Sequence, residues 1–328
     1  MIALPAPRGA LTELLLDRLP RPVGPLPPVT VTDVEDLHLA LYLCYELHYR
    51  GLPGVDDRWE WEPALLALRR ELETRFEDEL RAAVPVPPPR PDGAMDVALR
   101  AIADADGGPS LSRHLERHGT VEQFLEFAVH RSAYQLKEAD PHSWALPRLN
   151  GPPKAALVEI QADEYGGGEA TRIHAELFAR SMDALGLDAR YGAYVDRIPA
   201  VTLATINLMS MFGLHRRLRG AIVGHLAVFE MTSSIPNRRY ANGLRRLGFG
   251  PDATAFYDEH VVADAVHENV AAVDLAGGLA RQDPALAPDI LWGAAALMEL
   301  DARFARHLLE RWERGLSSLR GSPVRSAR

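Results

Sequence analysis

A short stretch of the chain, from Tyr257 to Glu268, carries three side chains of the kinds that bind metal ions. On an α-helix, which turns by about 100° per residue, His260, Asp264 and His267 would lie at 0°, about 40° and about −20°. All three would therefore leave one narrow face of the helix. Valines occupy the other sides, so this face is expected to be buried, where an unpartnered charge is costly. The spacing predicts half of a metal site; the alternative is two histidines that each bond a backbone carbonyl.

Three further ligand-type residues lie upstream of this stretch. Glu138 comes at the end of a helix predicted over residues 121–138, and Glu164 and His174 flank the sequence Tyr-Gly-Gly-Gly at 165–168. An unbroken helix would set Glu164 and His174 about 80° apart. Three glycines remove that difficulty, because they allow the backbone to change direction at a cost in helix stability. The alternative is a plain loop in which Glu164 is solvated and His174 is a satisfied core residue.

The combined set holds three carboxylates and three imidazoles: Glu138, Glu164, His174, His260, Asp264 and His267. Nitrogen and oxygen ligands without a thiolate suit two iron ions better than zinc, with divalent manganese as the chemical competitor. Two irons that share a carboxylate can supply two electrons to dioxygen at one place. The residues therefore predict an oxidation that breaks a C–H bond or oxygenates a nitrogen.

Helical patterns dominate the rest of the chain, and strand signals are scarce, which favours an all-α fold. A short helix is predicted at Leu11–Leu19, a second from the capping-box sequence at Thr32 to Gly51, and a third from Pro63 to about Arg81. The later helices are predicted at 110–118, 121–138, 154–164, 169–185, 197–218, 220–234, 237–247, 252–275, 283–295 and 297–318. Pro236 is expected to end or kink its helix.

A proline-rich linker at residues 84–93 divides the chain. It suggests an N-terminal helical accessory region, residues 1–105, a main domain at 106–320 and a flexible tail at 321–328.

Composition excludes several classes of protein. The formal net charge of −9 and a sequence pI near 5.8 argue against a nucleic-acid surface. A single cysteine, Cys44, rules out an internal disulfide and suggests a reducing compartment. No apolar run reaches the ~18 residues of a membrane span, and the N-terminus lacks a signal-peptide layout. A cytoplasmic protein without membrane contact is expected, and the absence of a glycine-rich nucleotide loop indicates that electrons come from an external donor or from the substrate itself.

The ligand spacing over about residues 110–318 resembles the haem-oxygenase-like di-iron oxidases and oxygenases, the iron-containing redox enzyme family. The motif His-x3-Asp-x2-His is present as His260, Asp264 and His267, and the upstream glutamate, glutamate, histidine pattern is matched by Glu138, Glu164 and His174. The stretch from His225 to Tyr240 is similar to the family's central helix.

This resemblance implies a seven-helix bundle that binds two irons, as Fe(II) or Fe(III), and uses O2 as co-substrate. It further implies Glu138, His174 and His267 around one iron and Glu164, His260 and Asp264 around the other. The family's reactions are desaturation, C–C cleavage, hydroxylation and N-oxygenation of small amino acids or aliphatic acids in specialised metabolism. Members with an accessory helical domain often dimerise, so a homodimer is expected.

Several other residues were weighed for a role at the site. Arg238 and Arg239 could hold a substrate carboxylate bidentately, although solvation is the plainer interpretation. His225 and Glu230 lie about 140° apart on their helix, so they cannot both face a metal, and His225 is interpreted as a core residue. Glu268 is a candidate for orienting a ligand imidazole.

The single Glu-x-x-His pair in the chain, Glu35 and His38, is read as a solvated helix start, because a ferritin-like site needs two such pairs.

Two other functions stay open at this point. One is haem degradation or a cofactor-free oxidation on the same bundle, which would need a single proximal histidine rather than three carboxylates. The other is a non-catalytic metal-binding or partner protein.

Overall fold

A computed structural model describes residues 4–28, 33–86, 88, 93–105 and 108–321, without the side chains of residues 264–266. Helices and connecting loops account for this described part, and it contains no strand. The all-α prediction is confirmed. None of the helices in these ranges is both long and apolar enough to cross a bilayer. Half of the predicted linker, all but the first residue of the predicted tail, and Thr32 lie outside the described residues.

The α-helices follow one another in this order: α1 (Ala10–Arg18), α2 (Val34–Glu46), α3 (Pro63–Ala83), α4 (Met95–Asp104), α5 (Leu111–Arg117), α6 (Val121–Gln135), α7 (Asp140–Ser143), α8 (Gly151–Glu164), α9 (His174–Ala184), α10 (Ala200–Leu214), α11 (Arg219–Arg246), α12 (Pro251–Asn269), α13 (Gly277–Gln282) and α14 (Ala287–Glu313). A π-helical segment, Val270–Ala276, joins α12 to α13. Single turns of 3-10 helix lie at Asp57–Trp61, Leu146–Arg148, Gly166–Gly168, Ala170–Arg172, Arg216–Leu218 and Pro284–Leu286.

Helix α11 lies at the centre of the bundle and packs most extensively against α12 and α14. Its contact with α14 is a close approach of two backbones. A Cβ atom added at Gly224 would lie 1.8 Å from the carbonyl oxygen of Ile290, and one added at Gly293 would lie 2.0 Å from the carbonyl oxygen of Ala221. Only glycine fits at these two positions, so α11 and α14 can approach one another more closely than helices with larger side chains would.

The N-terminal helices are bonded directly to the bundle. The carboxylate of Glu35 accepts hydrogen bonds from Arg8, from Arg320 and from the backbone N–H of Ala200. The carbonyl of His38 accepts a bond from the amide of Asn207, and both of these side chains are buried. The interpretation of Glu35 and His38 as a solvated helix start is therefore wrong: the pair belongs to the packing between α2 and α10.

Some helix boundaries differ from those predicted. Helix α11 continues through Pro236, so the proline does not end it, and α14 is one helix where two are predicted. Proline removes one backbone hydrogen bond, but packing on several sides of α11 offsets that loss. Helix α4 was not predicted. Helix α9 begins at His174 rather than at residue 169, because Ala170–Arg172 form a separate 3-10 turn and Ile173, with φ of −56° and ψ of 129°, is not in the α-helical conformation.

We predict that Gly224→Ala destabilises the protein by about 1–3 kcal/mol, because the added methyl group must displace the α14 backbone. Urea unfolding followed by circular dichroism measures this change. Gly24→Ala is the control, since its Cβ would meet no atom closer than the tip of Arg18 at 3.6 Å. Equal stability of the two variants would show that α11 and α14 can separate without cost.

Candidate metal centre

Four of the predicted ligands come together in the interior. Ligand atoms of Glu138, Glu164, His174 and His260 all lie within 4.8 Å of one another. The residues come from four places: the turn after α6, the last residue of α8, the first residue of α9 and the middle of α12. All four are buried, with relative exposures of 2–6%. The sequence elements predicted to supply a metal site therefore meet at one point.

A second group adjoins the first and shares Glu164 with it. Ligand atoms of Glu164, Glu230 and His267 also lie within 4.8 Å of one another, and all three residues are buried. Glu230 comes from α11 and was not among the predicted ligands. One signal could have found it: Glu230 is the one charged residue in the apolar run Leu226 to Met231.

This grouping differs from the division of ligands that the family resemblance implied. His267 lies with Glu230, and His260 lies with Glu138 and His174, whereas the implied division placed His267 with Glu138 and His174. Asp264 belongs to α12, between the two histidines, but its side chain lies outside the described residues. Its predicted role as a ligand stays a prediction.

Unusual backbone conformations position three of these side chains. Ala139, directly after Glu138, has φ of 74°, and it is the one non-glycine residue with positive φ in the described ranges. This conformation costs roughly 1–2 kcal/mol in a residue with a Cβ atom. After Glu164, the three glycines of the turn all have positive φ, and a Cβ at Gly166 would lie 2.6 Å from the carbonyl carbon of Arg172. The glycines thus redirect the chain between Glu164 and His174, as predicted.

Several buried atoms of the two groups have no hydrogen-bond partner among the described residues: Glu138 Oε2, Glu164 Oε2, His174 Nδ1 and His267 Nδ1. His174 Nδ1 and Glu164 Oε2 are 3.0 Å apart without the alignment of a hydrogen bond. A buried polar atom without a partner costs about 1–3 kcal/mol, and such atoms need an explanation. Metal ions bound between these atoms would satisfy them, and the nitrogen and oxygen donors fit iron.

Hydrogen bonds from neighbouring groups orient two of the imidazoles. His260 Nδ1 donates to the carbonyl of Phe256 at 2.8 Å, which turns Nε2 towards Glu138 Oε1, 3.6 Å away. His267 Nε2 bonds Asp163 Oδ2 at 2.9 Å, which leaves Nδ1 facing Glu230 Oε2 at 3.5 Å. An imidazole whose outer nitrogen donates to an oxygen presents its other nitrogen in a fixed direction, as metal-ligating histidines do.

The carboxylates and imidazoles shift one another's pKa values. Burial raises the pKa of Glu138, and the nearby imidazoles offset only part of that rise. Burial also acts to raise the pKa of Glu164, but His174 and His260 outweigh it and hold that pKa below its ordinary value. Burial acts to lower the pKa of His267, but Glu230 and Asp163 outweigh it and raise the pKa to about 9. A proton on His267 therefore offsets part of the carboxylate charge, and a bound cation would replace that proton.

Other candidates lie outside the two groups. His225 Nδ1 is 3.1 Å from His142 Nε2, and both rings are buried. Glu268 pairs with Arg100 of α4, so it does not orient a ligand imidazole; Asp163, which was not predicted, bonds His267.

Neither of the two arginines considered for substrate binding is among the described residues that line the cavities at the cluster. Arg238 is exposed, and Arg239 donates to the hydroxyl of Ser112.

Two comparisons with known proteins bear on this site. A family model described as iron-containing redox enzyme matches residues 125–302, more than half of the chain. The chain is also 28% identical over 137 residues to nitrosourea synthase of Streptomyces achromogenes subsp. streptozoticus, an alignment that covers 42% of this chain and 29% of that protein. The chain thus spans less than a third of the length of this relative. The matched region of the family model contains both ligand groups, and the chain belongs to the family of iron-containing redox enzymes with a haem-oxygenase-like all-α bundle.

Proposed function

We propose that the protein is an O2-dependent, non-haem di-iron oxidase or oxygenase that acts on a small carboxylate-bearing metabolite. The observation that carries this proposal is the position of Glu164, whose carboxylate belongs to both ligand groups. A carboxylate shared by two sets of ligands suits a pair of metal ions, as in other helical di-iron carboxylate proteins. Membership of an iron-containing redox family supports iron as the metal.

In this proposal Glu138, His174 and His260 would hold one iron and Glu230 and His267 the other, with Glu164 available to both sets of ligands. Asp264 stays a further ligand candidate on α12. Two bound ferrous ions would supply two electrons to dioxygen at one place. Electrons for further turnovers would come from an external donor.

The protein's own residues orient the site and keep water out of it. The carbonyl of Phe256 and the carboxylate of Asp163 fix which nitrogen of His260 and of His267 faces the site. The ligand side chains are 1–7% exposed, so few water molecules can compete with the substrate for an oxidant. The name of the relative, nitrosourea synthase, makes oxidation at nitrogen the first outcome to test, since a nitrosourea contains an oxygenated nitrogen.

The proposal predicts that anaerobic titration with Fe(II) loads about two irons per chain, as in other di-iron carboxylate bundles. Mixing the loaded protein with O2 should then consume oxygen in an oxygen-electrode cell. Glu164→Ala should lose iron binding and, with it, oxygen uptake. Glu159→Ala, at an exposed position on the same helix, should retain iron binding and oxygen uptake. Iron binding without oxygen uptake under any condition would favour a non-catalytic metal-binding protein.

Glu230→Gln should reduce iron loading to about one per chain, because the amide cannot supply the negative charge that a two-iron site of this kind needs. Metal analysis after desalting measures the stoichiometry, and circular dichroism checks that the helices remain. Two irons per chain in this variant would remove Glu230 from the ligand set.

Asp163→Ala should weaken binding of the iron at His267 by about 10–100-fold, the usual effect of removing the partner of a ligand histidine. Competition with a chromophoric chelator gives the affinity of each site. Glu159→Ala is again the control, and an equal loss in both variants would mean that Asp163 acts only through surface charge.

A further inference from the structure

A cavity of about 130 Å³ lies beside the first ligand group, and its wall includes Glu138 and His260. Aromatic rings form much of the remaining wall: Phe127, Phe178, Phe229, Tyr240 and Tyr257. A site of this volume is well below the ~300–1,000 Å³ of drug-sized ligand sites, so its occupant is a small molecule. Any molecule in the cavity lies next to the proposed iron ligands.

One guanidinium group lines this cavity, that of Arg131 on α6. Its Cζ atom lies 5.7 Å from the ring centroid of Phe127 and 4.8 Å from that of Phe304. The side chain is 21% exposed, and its Nη1 atom forms a long ion pair of 3.9 Å with Oδ1 of Asp301, a carboxylate that also lines the cavity. Stacking on rings uses the faces of a guanidinium, whereas its N–H bonds point outwards in its plane and match the two oxygens of a carboxylate.

An acceptor without a partner lies one turn further along the same helix. Gln135 also lines the cavity, and its Oε1 atom is buried without a hydrogen-bond partner among the described residues. An amide oxygen left in this state costs free energy unless a ligand donates to it. Arg131 and Gln135 are four residues apart on α6, so they lie on one side of that helix, and Glu138 follows in the turn after it.

We propose that Arg131 and Gln135 select the substrate of this enzyme. Arg131 binds a carboxylate, and Gln135 accepts a hydrogen bond from an N–H group that lies between the carboxylate and the proposed irons. The substrate is therefore a small amino acid whose nitrogen-bearing part faces Glu138 and His260. This inference rests on the proposed function, and it assigns the carboxylate to Arg131 rather than to Arg238 or Arg239.

The test uses a homologous set of probes, the ω-amino acids from glycine to 6-aminohexanoate, each with the alkanoate and the alkylamine of the same chain length. Binding to the iron-loaded protein is measured by calorimetry without O2, so that no turnover occurs. At least one amino acid should bind more tightly than both of its single-function analogues. Every sample is also assayed for iron content and, separately, for oxygen uptake.

Arg131→Gln should weaken binding of the amino acid and the alkanoate about 10-fold or more and leave the alkylamine unchanged, because a charge-assisted hydrogen-bond pair is lost. Arg131→Lys keeps the charge without the planar fork and should give an intermediate loss if the first variant does not fold. Gln135→Met should weaken the amino acid and the alkylamine and leave the alkanoate unchanged.

Arg238→Gln and Arg239→Gln are the matched arginine controls, and both should bind every probe as the wild type does. The inference fails if these two variants lose affinity while Arg131→Gln does not, if Arg131→Gln weakens all three kinds of probe equally, or if no probe binds to iron-loaded wild type. Absence of iron or of oxygen uptake in the wild type would instead count against the proposed function. If the wild type loads iron and consumes oxygen but Arg131→Gln binds every probe as the wild type does, the result counts only against this inference.

Discussion

The burial of three carboxylates and three imidazoles in one small volume is the constraint on which this structure depends. Glu138, Glu164 and Glu230 are each at most 6% exposed. The free-energy cost of burying an isolated charge is far larger than the stabilisation from any single apolar contact. The cluster is therefore stable only with compensating positive charge. The proton on His267, whose pKa is raised to about 9, provides part of this charge, and bound cations would provide more. The surrounding helices serve to hold these groups close together in spite of that cost.

The residues that hold the cluster reach beyond the main bundle. Lys137, next to Glu138, forms an ion pair with Glu46 of α2 in which both side chains are fully buried. Tyr191 donates to the same glutamate at 2.6 Å. Breaking such a pair leaves an uncompensated charge, typically at about 3–5 kcal/mol. The N-terminal helices therefore fix the chain beside Glu138, across the boundary predicted at residue 105.

Local patterns in the sequence predicted much of the site. The sequence did not show which elements distant along the chain pack against one another. The helical spacing of His260 and His267, and the glycines between Glu164 and His174, required only neighbouring residues. Glu230 was not predicted as a ligand because nothing in the local sequence shows which face of α11 meets α12. The unbroken course of α11 through Pro236 has the same origin: packing from several helices, not local preference, decides it.

The two ligand groups have different surroundings, although they share Glu164. His267 bonds Asp163, whose side chain is 62% exposed, so this side of the cluster is linked to solvent through a single carboxylate. His260 instead donates to a backbone carbonyl and borders the aromatic cavity that contains Arg131. A substrate in that cavity would therefore approach the Glu138 group first, while Glu230 and His267 lie on the side of Asp163. Helix α12 supplies both histidines, and one of them lies towards the cavity while the other lies towards Asp163 and solvent. Because Glu164 belongs to both ligand groups, a change in the ligands of one group would reach the other group through Glu164.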